Sequence, residues 1–402
     1  MLAVSCLVLC TACSENASEG ATGRAEVAGL FSAWSSDELL RIAAEPSLVV
    51  GWDESLPLGR VAGAVFFGGG IAIADGQFYE VLILDAAGRV LSRQGRNGEG
   101  PGEYKNLAGI ARHTDGLITW DAYHFRVTLL DASGRYVGET KLRPLGRERS
   151  RVVGAFGNSV LYEISQRGFP GTGAVGPMEI RLPVAYEIAR LSDGEVVFED
   201  NRPGLEKWAA RESDGAGGFK HGGPEVIFGR TAVSAVTDRY AYLATTDSIT
   251  ITRYDEAGNA VEVSFEQPRE SAEAAWVQFV RDTLLENLES TRPGQLVVGG
   301  RNFVEVITEF RRGLLEDLPA RPTLPAFSAM KGGADGLLWI REYPDPFQDQ
   351  VAWVGFSETW EREKRIAMPV SLDVLDISED GVLVHSRGAH DENLIEVYSF
   401  ER

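Results

Sequence analysis

Three groups of residues in this chain have the types and spacing to do chemistry. The first is Arg96-Asn-Gly-Glu-Gly-Pro-Gly-Glu-Tyr104, with three glycines and a proline in nine residues. Such a loop can cradle a phosphate on backbone N–H groups. This one lacks the Lys-Ser/Thr of a P-loop, puts carboxylates where phosphate oxygens would sit, and leads into a strand rather than a helix. It reads better as a connection between strands, whose glycines admit the required φ values and whose Glu99 or Glu103 accepts backbone hydrogen bonds. No other joint is so rich in glycine and carboxylate. Glu99, Gly100, Pro101, Gly102, Glu103 and Tyr104 therefore stand as the first candidate binding surface.

The second group is Asp75 and Asp121, which recur at equivalent places in two similar stretches. Carboxylates that repeat are better explained as turn and hairpin caps than as catalysts, because a catalytic group is needed once. If such a pair lined a channel it could hold Ca²⁺, a hard cation that prefers oxygen ligands. The third group is His385-Ser-Arg-Gly-Ala-His390-Asp-Glu392, the densest cluster of metal-ligand types. It is expected to span a strand end and a hairpin. His385 and His390, like Asp75 and Asp121, remain weak metal candidates. No Gly-x-Ser-x-Gly or His-Glu-x-x-His signature occurs. No catalytic residue, resident metal or cofactor is assigned; Ca²⁺ would suit the carboxylates, and a solvated turn explains the histidine group better than a zinc site.

The elements that must position these groups follow from a repeat. Gly70, Asp75, Asp85, Gly88 and Arg89 match Gly116, Asp121, Asp131, Gly134 and Arg135 at a constant offset of 46, and Gly63/Gly109 keeps it upstream. Each unit reads as a turn, a strand, a short link, a strand, an Asp-x-x-Gly turn and a further strand. Several strands per unit at this period are the signature of a β-propeller blade. Openings near 70, 116, 157, 239, 336 and 381 predict six four-stranded antiparallel blades, an all-β fold. A Gly/Pro-rich insertion near 167–177 interrupts the third unit.

Between the fourth and fifth units the period changes. Trp276, Val280, Leu284 and Leu288 recur every four residues, and Phe303, Val306, Ile307, Phe310, Leu314 and Leu315 follow three-and-four spacing. These predict an amphipathic helical pair inserted over about 270–318. The sixth unit runs out at Phe400 without its outermost strand. Leu48–Trp52 is expected to supply it and lock the ring, removing two exposed sheet edges. The joint 53–60 would then correspond to the glycine-rich loop. Ser35–Ile42 reads as a short helical turn or an edge strand. The eight tryptophans are scattered, and those in strands are expected in the core between blades.

Composition sets the location and excludes some partners. The 402 residues carry 59 acidic against 39 basic side chains, a formal charge of −20, which would repel nucleic acid and anionic bilayers. All three cysteines, Cys6, Cys10 and Cys13, fall in the first thirteen residues, so the body has no disulfide framework or cysteine nucleophile. Leu2–Ala12 is apolar and too short to span a bilayer, as in a signal peptide. Its Thr11-Ala12-Cys13 end resembles a bacterial lipobox. Cys10 stands where such a box usually has leucine, and no basic residue precedes the run. The expected organisation is a signal peptide at 1–13, a flexible tether at 14–33 and the propeller at 34–402, with Cys13 lipidated. The location is extracytoplasmic: a lipoprotein of the periplasm or outer membrane, or a secreted protein.

Gly95–Ala111, Asp115-Gly-Leu-Ile118, Asp121, Arg126-Val127 and Leu130–Arg135 resemble an NHL-type repeat. The chain as a whole resembles the bacterial exported six-bladed β-propeller proteins, which carry a Gly-x-Gly-Pro-Gly-Glu-aromatic loop after the first full blade. The resemblance implies the fold and an extracytoplasmic site, and no settled activity. The expected function is a monomeric, non-enzymatic scaffold that binds a protein, peptide or glycan at the envelope, touching the membrane only through lipid. The alternative is a metal-dependent hydrolase or lyase of the lactonase or amidating-lyase type, which needs carboxylates, Asn or His converging on the central channel.

Overall fold

The computed structural model describes residues 25–27, 31, 39–52, 56–143, 149–165, 173–213, 219–265, 269–290, 297–298 and 301–401. Cys13, the signal segment 1–13, most of the tether and Trp34 lie outside the described residues. Three short strands come first: β1 (Ala25–Val27), β2 (Leu39–Arg41) and β3 (Leu48–Val50). The first sheet is β4 (Val61–Phe67), β5 (Gly70–Asp75), β6 (Glu80–Leu84) and β7 (Val90–Gln94). The second is β8 (Leu107–His113), β9 (Gly116–Asp121), β10 (Arg126–Asp131) and β11 (Tyr136–Lys141). The third holds β12 (Arg149–Phe156), β13 (Ser159–Ser165), β14 (Val175–Arg190), β15 (Val196–Ser213) and β16 (Phe219–Gly222). The fourth meander is β17 (Ala232–Val236), β18 (Ala241–Thr245), β19 (Thr250–Tyr254) and β20 (Ala260–Phe265).

Next come α1 (Ala274–Ser290), the small ribbon β21 (Val297–Val298) and β22 (Arg301–Asn302), and α2 (Phe303–Glu316). The fifth meander is β23 (Ala329–Gly332), β24 (Leu338–Arg341), β25 (Gln350–Phe356) and β26 (Arg362–Pro369). The last sheet holds β27 (Asp373–Ile377), β28 (Gly381–Arg387) and β29 (Asn393–Ser399), with β3 on its edge. There Ile395 faces Val50 and Val397 faces Leu48 in antiparallel register. The protein is thus mostly β, in four-stranded antiparallel meanders consistent with a propeller. The first strands lie side by side in the order β4, β8, β12, β17, β23, β27, and β27 lies beside β4.

Strand periodicity explains the packing. On β5, Ile71 and Ile73 turn toward Leu383 and Ile395 of the last sheet, while Ala72 and Ala74 turn toward Leu107 and Leu117 of the second. Both faces of an inner strand are therefore covered, and its sequence reads as a continuous apolar run. Analogous clusters fill every other sheet-to-sheet interface. Each fully buried Leu, Ile or Val contributes roughly 1.5–3 kcal/mol relative to exposure. Trp120 and Trp339 are fully buried in these layers, whereas Trp52 is exposed. Gly70 and Gly116 open the second strands for a steric reason. A Cβ would lie 2.0 Å from the Leu84 carbonyl oxygen in one case and 2.1 Å from that of Leu130 in the other.

An antiparallel meander puts the start of its first strand, the hairpin between its second and third strands and the end of its fourth at one end. In the four-stranded sheets the opposite end carries only short turns. The Asp85 carboxylate there accepts from the Ala87 and Arg89 N–H groups at 3.0 and 2.9 Å, Asp131 from Ser133 and Arg135 at 2.8 and 3.0 Å, and Asp255 from Ala257 and Asn259 at 2.9 Å each. Gly88, Gly134 and Gly258 close these turns at φ of 77, 78 and 80°. The inter-sheet joints and the helical pair occupy the other end.

The third sheet departs most from expectation. The insertion is not simply a loop: β14 begins inside it at Val175 and pairs with β15 as far as Val175↔Arg211, well beyond the Val184–Arg190 stretch that pairs with β13. A two-stranded ribbon therefore projects from the joint end. Pro183 faces Pro203 at a register shift, where neither missing N–H interrupts a regular ladder. Ion pairs fix the ribbon's base, Arg181 to Asp247 at 2.6 Å and Arg321 to Glu206 and Glu179 at 2.9 and 2.8 Å. The helices form where expected. Trp276 of α1 is buried, and Phe310 and Leu314 of α2 pack on Trp208 and Ala210 of the ribbon.

Two N-terminal expectations are corrected or resolved. Residues 25–27, assigned to the tether, form a strand parallel to Val263–Phe265 and cover the outer edge of β20. Leu39–Arg41 is an edge strand parallel to Arg365–Ala367, not a helical turn.

Candidate functional site

The glycine-rich loop satisfies most of its polar groups internally. Tyr104 N–H donates to the Arg96 carbonyl at 2.9 Å, and Gly98 N–H donates to the Tyr104 carbonyl at 3.1 Å. The Glu103 carboxylate accepts from Gly100 N–H at 2.9 Å and from Arg96 Nε at 2.6 Å. Those two donors hold its carboxyl below the usual carboxylate range. Beneath the loop, buried Arg126 donates to the Glu99 and Glu103 carbonyls. Tyr104 is fully buried, its hydroxyl 2.9 Å from Thr119 Oγ1, and Gly102 is buried too, at φ of 68°. Of the six candidate binding residues Glu99 and Pro101 are exposed, beside the exposed Arg96 and Asn97, while Gly102 and Tyr104 are buried beneath them.

Asp75 and Asp121 are both fully buried and take up equivalent partners. Asp75 accepts from the N–H groups of Gly59, Arg60, Gln77 and Phe78. Asp121 accepts from those of Lys105, Tyr123 and His124 and contacts His124 Nδ1 at 2.9 Å. Each carboxylate thus ties the incoming joint to the hairpin after the second strand. Burial pushes the Asp121 carboxyl up, and the Lys105, His124 and Tyr123 donors outweigh it and hold the group below the ordinary range. Oxygens engaged by backbone donors are poor cation ligands. His385 lies near the end of β28, with Nε2 2.9 Å from Asn393 Oδ1 and Nδ1 3.4 Å from Asp373 Oδ2. His390 sits in the exposed hairpin, where its N–H donates to Glu392. Among the described residues no group of three or more His, Cys, Asp or Glu side chains is placed to hold a metal ion.

Charge converges instead on the axis. The six first strands enclose a cavity of about 290 Å³, lined by residues such as Ala64, Ile110, Ala155 and Ala235. One rung before the last pair of each first strand stand Phe66, Arg112, Ala155, Ala235, Lys331 and Asp376. Arg112 crosses the channel to Asp376 and donates through Nη2 to the Gly332 carbonyl at 3.3 Å. Asp376 also accepts from Phe66 N–H and from its neighbour Ile377 N–H, each at 2.9 Å. Burial pushes the Asp376 carboxyl up, and Arg112 opposes that shift. Lys331 keeps surface open to the cavity, and burial lowers its ammonium pKa.

No protein-family model and no curated protein matches the chain. Among solved structures, a DUF4221-family member from Bacteroides vulgatus is 8% identical with a TM-score of 0.47, covering 91% of this chain and 99% of its own. A Bacteroides fragilis protein thought to be exported is 10% identical with a TM-score of 0.43, covering 91% and 97%. A streptogramin B lyase is 11% identical with a TM-score of 0.35, covering 88% of each chain. The fold therefore rests on the strand pairings themselves.

Arg112, Lys331 and Asp376 carry no motif. Their signal lies in an alignment of first strands, where charged residues replace apolar ones at a single equivalent position.

Proposed function

We propose that this chain is an exported six-bladed β-propeller, closed by β3 on β29 and tethered by lipid at Cys13. It acts as a non-enzymatic scaffold that binds a protein, peptide or glycan at the cell envelope. The observation that carries the binding reading is the asymmetry of the two ends. The joint end bears the helical pair, the ribbon and the exposed aromatics Phe78, Tyr123 and Phe347, and the opposite end bears short aspartate turns. Protruding elements held by ion pairs on a rigid scaffold are where recognition residues are usually found. The metal-dependent hydrolase or lyase reading would need a convergent ligand set, and among the described residues no group of three or more His, Cys, Asp or Glu side chains is placed to hold an ion.

The test compares capture from envelope extracts by the full chain, by a variant in which short loops replace residues 173–181 and 207–222 so that the projecting part of β14 and β15 is lost, and by a variant with Asp85, Asp131 and Asp255 changed to Asn. Loss of a specific partner in the ribbon variant alone supports the proposal. Loss in the turn variant alone, or retention in both, overturns it. For the anchor, a Cys13→Ala change should release the protein from membranes, and unchanged fractionation would count against lipidation.

A further inference from the structure

We infer that the central channel binds a singly charged carboxylate at Lys331. This does not depend on the joint-end reading. At the Phe66/Arg112/Ala155/Ala235/Lys331/Asp376 level, Asp376 neutralises Arg112, so one positive charge remains, that of Lys331. Among the described residues no hydrogen bond or ion pair engages the Lys331 ammonium, and Arg112 Nε is buried without a hydrogen-bond partner. A cation held in a confined cavity without a counter-ion is costly, and an entering anion recovers that cost.

The other charges along the channel do not supply that anion. Arg151 is paired with Glu163 at 2.8 Å. Asp238 and Asp373 are exposed, Asp373 with 68% of its side chain open, so solvent screens them. Ala155 and Ala235 leave room on the side of the rung away from the Arg112–Asp376 pair. A single uncompensated charge matches a monoanion better than a dianion, which would keep one charge unpaired in the confined space. The strands on either side of β23 add Val236 and Leu375 to the cavity lining, which suit the short apolar stem of a carboxylic acid.

The test titrates acetate, propionate and inorganic phosphate into the full chain by calorimetry, at constant ionic strength balanced with chloride. Acetate and propionate should saturate at one site, propionate more tightly, and phosphate should bind more weakly than either. Lys331→Met should weaken propionate at least roughly tenfold, a loss of about 1.4 kcal/mol, while Lys105→Met on the exposed joint should leave it unchanged. In the unmodified protein, propionate should protect Lys331 from acylation by an N-hydroxysuccinimide ester, read residue by residue by mass spectrometry. That readout stands even if Lys331→Met fails to fold. Absence of saturable carboxylate binding, unchanged affinity in Lys331→Met, tighter binding of phosphate, or acylation of Lys331 at the same rate with and without propionate would each overturn the inference.

Discussion

At the turn end of the sheets, Asp85, Asp131 and Asp255 each accept N–H groups from their own turn, close to solvent. At the joint end, Asp75 and Asp121 are fully buried and accept from two separate segments, the incoming joint and the following hairpin. The residue type is the same and the repeat is the same, yet one set shapes a local turn and the other ties the incoming joint to a hairpin of the sheet it enters. The difference teaches that a repeated carboxylate should be judged by how far apart in sequence its donors lie. A local cap can be lost with little consequence, whereas a cap that bridges two segments leaves buried donors behind in both.

The comparison is broken most directly at Asp121. Asp121→Ala strands the N–H groups of Lys105, Tyr123 and His124 and should cost about 3 kcal/mol in urea unfolding. Its carboxyl is depressed in the folded state, so its contribution is full above the ordinary carboxylate range and is lost as pH falls through the depressed value. The stability gap between the wild type and the variant should therefore be constant near neutrality and narrow in acid. A gap that widened on acidification would contradict this assignment.

Gly116→Ala attacks the opposite end through sterics, forcing a Cβ against the Leu130 carbonyl, and should cost about 2 kcal/mol by the same measurement. Tyr104→Phe removes the hydroxyl that contacts Thr119 beneath the glycine-rich loop, and a loss of about 1 kcal/mol is expected. Asp131→Ala should have the smallest effect. Its carboxyl is held down to about 2 by Ser133 and Arg135 but lies at the surface. A shift in unfolding midpoint as large as that of Asp121→Ala would erase the distinction between the two ends.

Much of the fold was legible because Asp-x-x-Gly turns punctuate the chain at the repeat length and the helical insertion has its own period. The ribbon was not. Its Gly/Pro-rich start and Arg202-Pro-Gly204 look like breaks, and pairing with a partner strand through register shifts overrides that local signal. The candidate binding loop was legible as a joint, while the burial of Gly102 and Tyr104 depended on Arg126 and Thr119, residues distant in sequence. The charged rung was invisible for the opposite reason. A repeat is found by sameness, and Arg112, Lys331 and Asp376 differ from the residues at the matching positions of the other sheets.

The pairing of β3 with β29 has a consequence for how the molecule is made. Ser47 donates to the Val397 carbonyl 350 positions away, so that long stretch must emerge before the edge strand has a partner. Contacts so remote in sequence form late and slowly. Until Ile395–Val397 emerge, Leu48–Val50 is an open edge, exposed to strand exchange with other copies. Ile395–Val397 thus end the period of greatest aggregation risk, and a chain lacking them would prolong it indefinitely.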